Sequence, residues 1–141
     1  MSESVIEADI QVLEFYLDDR KYCVDIEHVD EIVDRGNDLT PLPNSAPHVE
    51  GIVDLRGTTT TIINPKRVLN IGGESTGERI IVFDPDEEEN RTTGWIIDEV
   101  NQVARLEGEE VDDSVEGGSV LGIVKRDDGF VIWIDPERIN A

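Results

Sequence analysis

Gly51-Ile52-Val53 leading to Ile63-Asn64-Pro65-Lys66-Arg67-Val68 is matched later in the chain by Gly122-Ile123-Val124 leading to Ile134-Asp135-Pro136-Glu137-Arg138-Ile139. The separation is constant: 122 − 51, 136 − 65 and 138 − 67 all equal 71, and the same offset aligns Ile26, Val29 and Ile32 with Ile97, Val100 and Val103. A fixed separation through loops and strands implies a duplicated unit. Solenoid repeats are about 20 to 50 residues long, so the longer period points to two small, related subdomains. Duplicated halves pack about a pseudo-twofold axis and leave a groove between equivalent surfaces. That groove is the expected place for function.

Halves of this size bury too little surface to be stable alone. They are therefore expected to share a core in one domain over residues 12–141, with approximate subdomains at 12–77 and 78–141. The hydrophobic share is 38%, supplemented by 12 glycines, which is ordinary for a globular chain. The surface is not ordinary. Asp and Glu number 33 against 12 Lys and Arg, a formal net charge of −21. In dilute buffer such a surface strains the compact state by self-repulsion, whereas in molar salt the Debye length falls to about 3 Å. A salt-loaded cytoplasm is the expected setting, with an acidic mesophilic protein as the alternative.

The same acidity makes nucleic acids and anionic membranes poor partners, because both demand clustered Lys and Arg. Met1-Ser2-Glu3-Ser4 has no charged n-region, and no apolar run approaches the roughly 20 residues that span a bilayer. The expectation is a soluble cytoplasmic protein with no direct membrane insertion. Cys23 stands alone in the sequence, so no internal disulfide is possible, and its strand-like setting Tyr22-Cys23-Val24-Asp25-Ile26 predicts a buried packing role.

Short β-branched and aromatic runs bounded by Gly, Asp, Asn and Pro predict strands through most of the chain. Residues 12–17 and 22–26 form a first hairpin around a polar turn. Residues 79–83 and 93–97 repeat it with a longer tip at 84–91, where the constant offset fails. The triplets Ile26, Val29, Ile32 and Ile97, Val100, Val103 fit one helical turn or a bulged strand equally well. Polar connections follow at 34–45 and 107–118. Second hairpins come next, at 49–55 with 58–63 and at 120–124 with 130–134, the latter around the polar turn Arg126-Asp127-Asp128-Gly129. Each ends in a helix start, with Asn64 or Asp135 as N-cap and Pro65 or Pro136 at the first helical position. Residues 72–77 join the halves. The predicted fold is all-β with short helices: two pseudo-symmetric five-stranded SH3-like barrels packed together, each covering the other's open end.

No constellation points to catalysis. Adjacent carboxylates such as Asp98-Glu99, Glu109-Glu110 and Asp112-Asp113 read as a solvated acidic face, since a catalytic pair needs environments that split its pKa values. His28 and His48 fit no metal-ligand spacing. There is no Gly-x-Ser-x-Gly elbow and no phosphate-binding glycine loop. No metal and no cofactor is expected, and the chain is not read as an enzyme. What stands out is Gly51-Ile52-Val53-Asp54-Leu55-Arg56-Gly57. Apolar positions 52, 53 and 55 imply a largely buried strand, which Arg56 interrupts before a glycine suited to a sharp turn. At the same offset the second half has Asp127-Asp128, so duplication alone does not account for the arginine.

This heptapeptide resembles the Gly-Val-x-Asn-Leu-Arg-Gly signature of the CheW-like chemotaxis adaptor family. Phe15-Tyr16-Leu17 followed by residues 22–26 is similar to that family's opening hairpin. Val29-Asp30-Glu31-Ile32 resembles its Val-x-Glu-Ile segment, residues 94–100 its Gly-x-x-Val-Asp-x-Val segment, and residues 122–135 its closing hairpin. The resemblance spans residues 12–140.

The resemblance implies two five-stranded barrels and a non-catalytic adaptor that links the cytoplasmic tip of chemoreceptors to the regulatory domain of the histidine kinase CheA. By it the receptor's helical hairpin docks in the inter-barrel groove. Val29, Ile32, Val100 and Val103 match the groove's apolar positions, Gly51 lets the strand approach closely, and Glu31 pairs with Arg56, beside Gly57, to brace the surface. Rim ion pairs are screened in molar salt, and a Glu31–Arg56 bridge would be an exception where it is partly buried. The resemblance further implies a monomer outside membrane-associated receptor arrays. The chain departs from the family in having Asn64 where Asp is usual and in lacking prolines and a basic residue in 107–118, and no kinase-contact residue is assigned. The competing readings are a stand-alone regulatory module of CheA type and a small-barrel ligand-binding or enzymatic domain using the same groove.

Overall fold

A computed structural model describes residues 10–36, 39–71, 77–85 and 91–140. The N-terminal residues, most of the joining segment 72–77 and most of the hairpin tip 84–91 lie outside the described residues. The strands are β1 (Ile10–Leu17), β2 (Arg20–Asp25), β3 (Val29–Asp34), β4 (Val49–Leu55), β5 (Thr58–Ile63), β6 (Arg79–Phe83), β7 (Thr92–Ile97), β8 (Glu99–Leu106), β9 (Val111–Asp112), β10 (Val120–Arg126) and β11 (Gly129–Ile134). Two short helices, α1 (Pro65–Val68) and α2 (Pro136–Asn140), follow β5 and β11.

The strands form two mixed sheets, ordered β8-β1-β2-β11-β10-β9 and β3-β6-β7-β5-β4. The duplication is written into them residue by residue. β4 and β10 begin and end 71 residues apart, as do β5 and β11. Their burial alternates identically along both pairs. The register slips between Val49 and Gly51 in one and between Val120 and Gly122 in the other. In each copy the N-cap residue also donates its backbone N–H to the residue before the bulged strand, Asn64 to His48 and Asp135 to Ser119.

Chain order and unit membership do not coincide. One compact unit contains the residues up to His28 together with Val100–Ile139, and the other contains Val29–Glu99 with Asn140. This corrects the sequential division at 77/78. The hairpin β1–β2 pairs in parallel with β11, and β7 of the hairpin β6–β7 pairs in parallel with β5, so each unit combines a hairpin from one repeat with the remaining strands of the other. The strand counts differ too. β9 adds a sixth strand where, among the described residues, the second unit has the isolated Thr40–Ile52 bridge, so 107–118 is not the plain connection expected from its polar composition.

Each unit has its own core. Val12, Cys23, Leu106, Val124, Val131 and Trp133 pack together in the first, and Val53, Ile62, Ile80, Val82 and Ile96 in the second. Cys23 is fully buried, as its sequence setting predicts, and burial pushes its thiol pKa well up. Gly94 of β7 lies opposite Val82. A Cβ there would sit 2.8 Å from the Ile80 side chain, so the second core leaves no space for the cysteine that the first accommodates. The helix starts form as predicted. The Asn64 side chain accepts from the Lys66 backbone N–H at 3.1 Å, and the Lys66 ammonium, almost fully buried, pairs with Asp98 at 2.9 Å.

Candidate functional site

In the second unit the candidate residues are gathered by a bulge and a turn. The triplet starting at Ile26 is part helical turn and part bulged strand: residues Ile26–His28 form a 3-10 turn, and β3 then slips its register between Val29 and Glu31. Val29, Glu31 and Ile32 are half-buried along β3. Leu55 pairs with Thr58, so the β4–β5 loop consists of Arg56 and Gly57 alone. Both have positive φ, 55° and 84°, the combination that matches the twist of a two-residue hairpin. The Gly57 backbone N–H donates to Asp54 Oδ1 at 2.7 Å. An L-residue in this region costs about 1 kcal/mol, and Arg56 holds it while Nη2 donates to Glu31 Oε1 at 2.5 Å.

The bridge lies largely in solvent on the arginine side, so it does not escape screening. Glu31 is 25% exposed but Arg56, on the two-residue turn, is 78% exposed. An exposed pair of this kind contributes about 0 to 1 kcal/mol and is screened by salt. It adds little to the fold. Gly51, at φ 150°, admits a close neighbour. Thr40 exchanges two 2.8 Å backbone hydrogen bonds with Ile52, and a Cβ on Gly51 would lie 2.3 Å from the Thr40 carbonyl oxygen.

In the first unit the candidates are Val100 and Val103, both on β8, an edge strand of the six-stranded sheet. Val100 is half-buried and Val103 is 53% exposed. β8 is tied to a buried carboxylate. Glu14 on β1 is 1% exposed, and its Oε1 accepts from Asn101 Nδ2 at 3.0 Å and from Gln102 Nε2 at 3.2 Å. Its Oε2 accepts from Arg126 Nη2 at 2.8 Å, while Arg126 Nη1 reaches both oxygens of Glu110 at 2.9 Å. Burial alone would raise the Glu14 pKa, but the hydrogen bonds from Arg126, Gln102 and Asn101 and the guanidinium charge outweigh it and hold the carboxyl below its usual value.

Six of the eight candidate residues thus belong to one unit, where Glu31 and Arg56 meet, and two belong to the other. Sequence reasoning overlooks Glu14 and Arg126 and treats Arg126 as part of a polar turn. Two signals were available. Glu14 is the one charged residue in the run 12–17, and the repeat sets Arg126 against Leu55, a charge opposite an apolar side chain.

Among the described residues no group of three or more His, Cys, Asp or Glu is placed to hold a metal ion. No helix among them is long and apolar enough to cross a membrane.

The family model for the CheW-like domain matches residues 11–141. A chemotaxis protein CheW from Thermotoga maritima is 28% identical over 136 residues, covering 93% of this chain and 87% of the relative. One from Bacillus subtilis is 28% identical over 137 residues, covering 92% and 85%. The crystal structure of the scaffolding protein TtCheW from Thermoanaerobacter tengcongensis superposes with a TM-score of 0.77 at 27% identity, covering 90% of this chain and 89% of that one.

Proposed function

The chain belongs to the CheW-like domain family, and from that premise we propose that it is a non-catalytic chemotaxis adaptor, coupling the cytoplasmic tips of chemoreceptors to the regulatory domain of the histidine kinase CheA. It works in the cytoplasm, is recruited to membrane-associated arrays through the receptors, is a monomer outside them and needs no cofactor. The family match over nearly the whole chain carries the adaptor reading.

One observation supports the choice of receptor-binding residues. Arg56 is held in a left-handed turn, tethered to Glu31 and otherwise in solvent, an arrangement that contributes little to stability and so reads as a surface device. Around it Val29 and Ile32 offer half-buried apolar surface, and Gly51 with Gly57 fixes the backbone. Val100 and the exposed Val103 supply apolar surface on the other unit. Apolar side chains that reach the surface suit the apolar face of an amphipathic helix, and apolar contacts persist in salt that screens ion pairs.

Co-sedimentation with a receptor-tip hairpin and the CheA regulatory domain tests both parts. The wild-type protein retains both partners. Arg56→Glu, Val29→Asp and Val103→Asp each weaken receptor retention about tenfold or more, the scale of interface hot spots, and leave CheA retention intact. Adding Glu31→Arg to Arg56→Glu restores part of the loss. Unchanged receptor retention in the three single variants would remove the surface assignment, and retention of neither partner by the wild type would remove the adaptor reading.

A further inference from the structure

We propose that Glu14 is a positioning residue for the receptor surface: from within the first unit it holds β8 so that Val100 and Val103 are presented to the partner. The inference rests on the receptor reading above and deepens it. Glu14 cannot itself touch a receptor, being 1% exposed. Its two β8 donors, Asn101 and Gln102, lie between the two valines in sequence, and both bond the same carboxylate oxygen. β8 lies beside β1 at the sheet edge, and an edge strand has ladder hydrogen bonds on one side only, so side-chain ties weigh more in fixing it. Arg126, anchored in turn by Glu110, supplies the charge that keeps the carboxylate ionised and correctly aimed.

The second unit shows that the arrangement is not required for folding. β1 and β6 occupy the same place in their sheets, as do β2 and β7. Glu14 faces Cys23 in register and Val82 faces Gly94, while Cys23 and Gly94 are 71 residues apart. The counterpart of Glu14 is therefore Val82, and by the same offset that of Arg126 is Leu55. Both counterparts belong to an apolar core that makes no such tie. A buried ion pair is often replaceable by apolar residues without loss of stability, so an alternative solution is built into the same molecule, yet the unit carrying Val100 and Val103 keeps the carboxylate.

Two variants separate positioning from mere stability. Glu14→Val with Arg126→Leu copies the second unit's solution without changing the net charge. Asn101→Ala with Gln102→Ala cuts only the two β8 ties and alters exposed side chains alone. Three quantities are measured: cooperative thermal unfolding, amide exchange of residues 100–105, and affinity for the receptor-tip hairpin. Both variants unfold cooperatively near the wild-type temperature, exchange about tenfold faster in β8 and bind the receptor about tenfold more weakly, the order expected when hydrogen bonds to a charged group are lost. Wild-type exchange in β8 of Asn101→Ala with Gln102→Ala overturns the proposal whether or not the first variant folds. So does wild-type receptor affinity in either folded variant when Val103→Asp binds weakly. If Val103→Asp itself binds like wild type, the receptor reading of β8 fails, a result distinct from unchanged exchange.

Discussion

Glu31 and Gln102 stand 71 residues apart at the same place in two copies of one repeat, and they take different partners. Glu31 meets Arg56 at a turn, with the guanidinium in solvent; Gln102 reaches Glu14, a buried carboxylate on β1. The electrostatics follow the burial. The exposed pair is weak and salt-sensitive, and the buried network persists in salt but costs the desolvation of its charges. The comparison teaches that duplication preserves backbone architecture, down to matching bulges, while polar side chains are free to diverge. The divergent positions are where the two copies of the repeat differ in the surface they offer.

Salt produces the largest expected change. With a net charge of −21, circular dichroism in millimolar salt shows loss of structure, and molar KCl restores it as self-repulsion is screened. An unchanged native spectrum at both ionic strengths removes the high-salt reading. Next comes the buried network. Arg126→Leu leaves Glu14 charged and unneutralised, and urea unfolding shows a loss of about 3 kcal/mol. The sign with pH follows from the depressed Glu14 pKa. Its contribution is fully present above the ordinary glutamate value, about 4.3, and is lost as pH falls through the lower folded value. Arg126→Leu should therefore flatten the acid limb of the stability profile.

The two bulge glycines give a smaller contrast. A Cβ at Gly51 meets the Thr40 carbonyl oxygen at 2.3 Å in a positive-φ backbone, whereas at Gly122 the nearest atom, the Asp112 oxygen, is 3.1 Å away. Gly51→Ala should lower the urea midpoint by the equivalent of about 2 kcal/mol and Gly122→Ala by about 1 kcal/mol or less. Equal losses would mean that the bulges are alike. Smallest of all, Arg56→Ala should change stability by under about 0.5 kcal/mol although it weakens receptor retention. A loss near that of Arg126→Leu would show that the exposed pair is structural after all.

Much of this was legible in the sequence because it is local. β4 and β5 start and stop where their Gly, Asn and Pro signals place them, Asn64 caps α1, and spacing by three at Ile26, Val29 and Ile32 marks the 3-10 turn and bulge of β3. The exchange of hairpins was not legible. The two sheets run through equivalent strands in the same order, so β1–β2 and β6–β7 carry the same pattern and either could complete either unit. Strand periodicity specifies an element but not which of two near-equivalent partners it joins. Glu14 was obscured for a different reason. Among 33 acidic residues one more carboxylate carries no weight until its burial is known. Arg56 was legible because the repeat gives it no counterpart, although its own positive φ, shared with Gly57, was not.

Coupling is tested by CheA autophosphorylation in molar KCl with receptor present, with and without this protein. Receptor control of kinase activity is expected only when the protein is added, and is lost with Arg56→Glu. Kinase activity that responds to receptor equally with and without it would remove the adaptor reading.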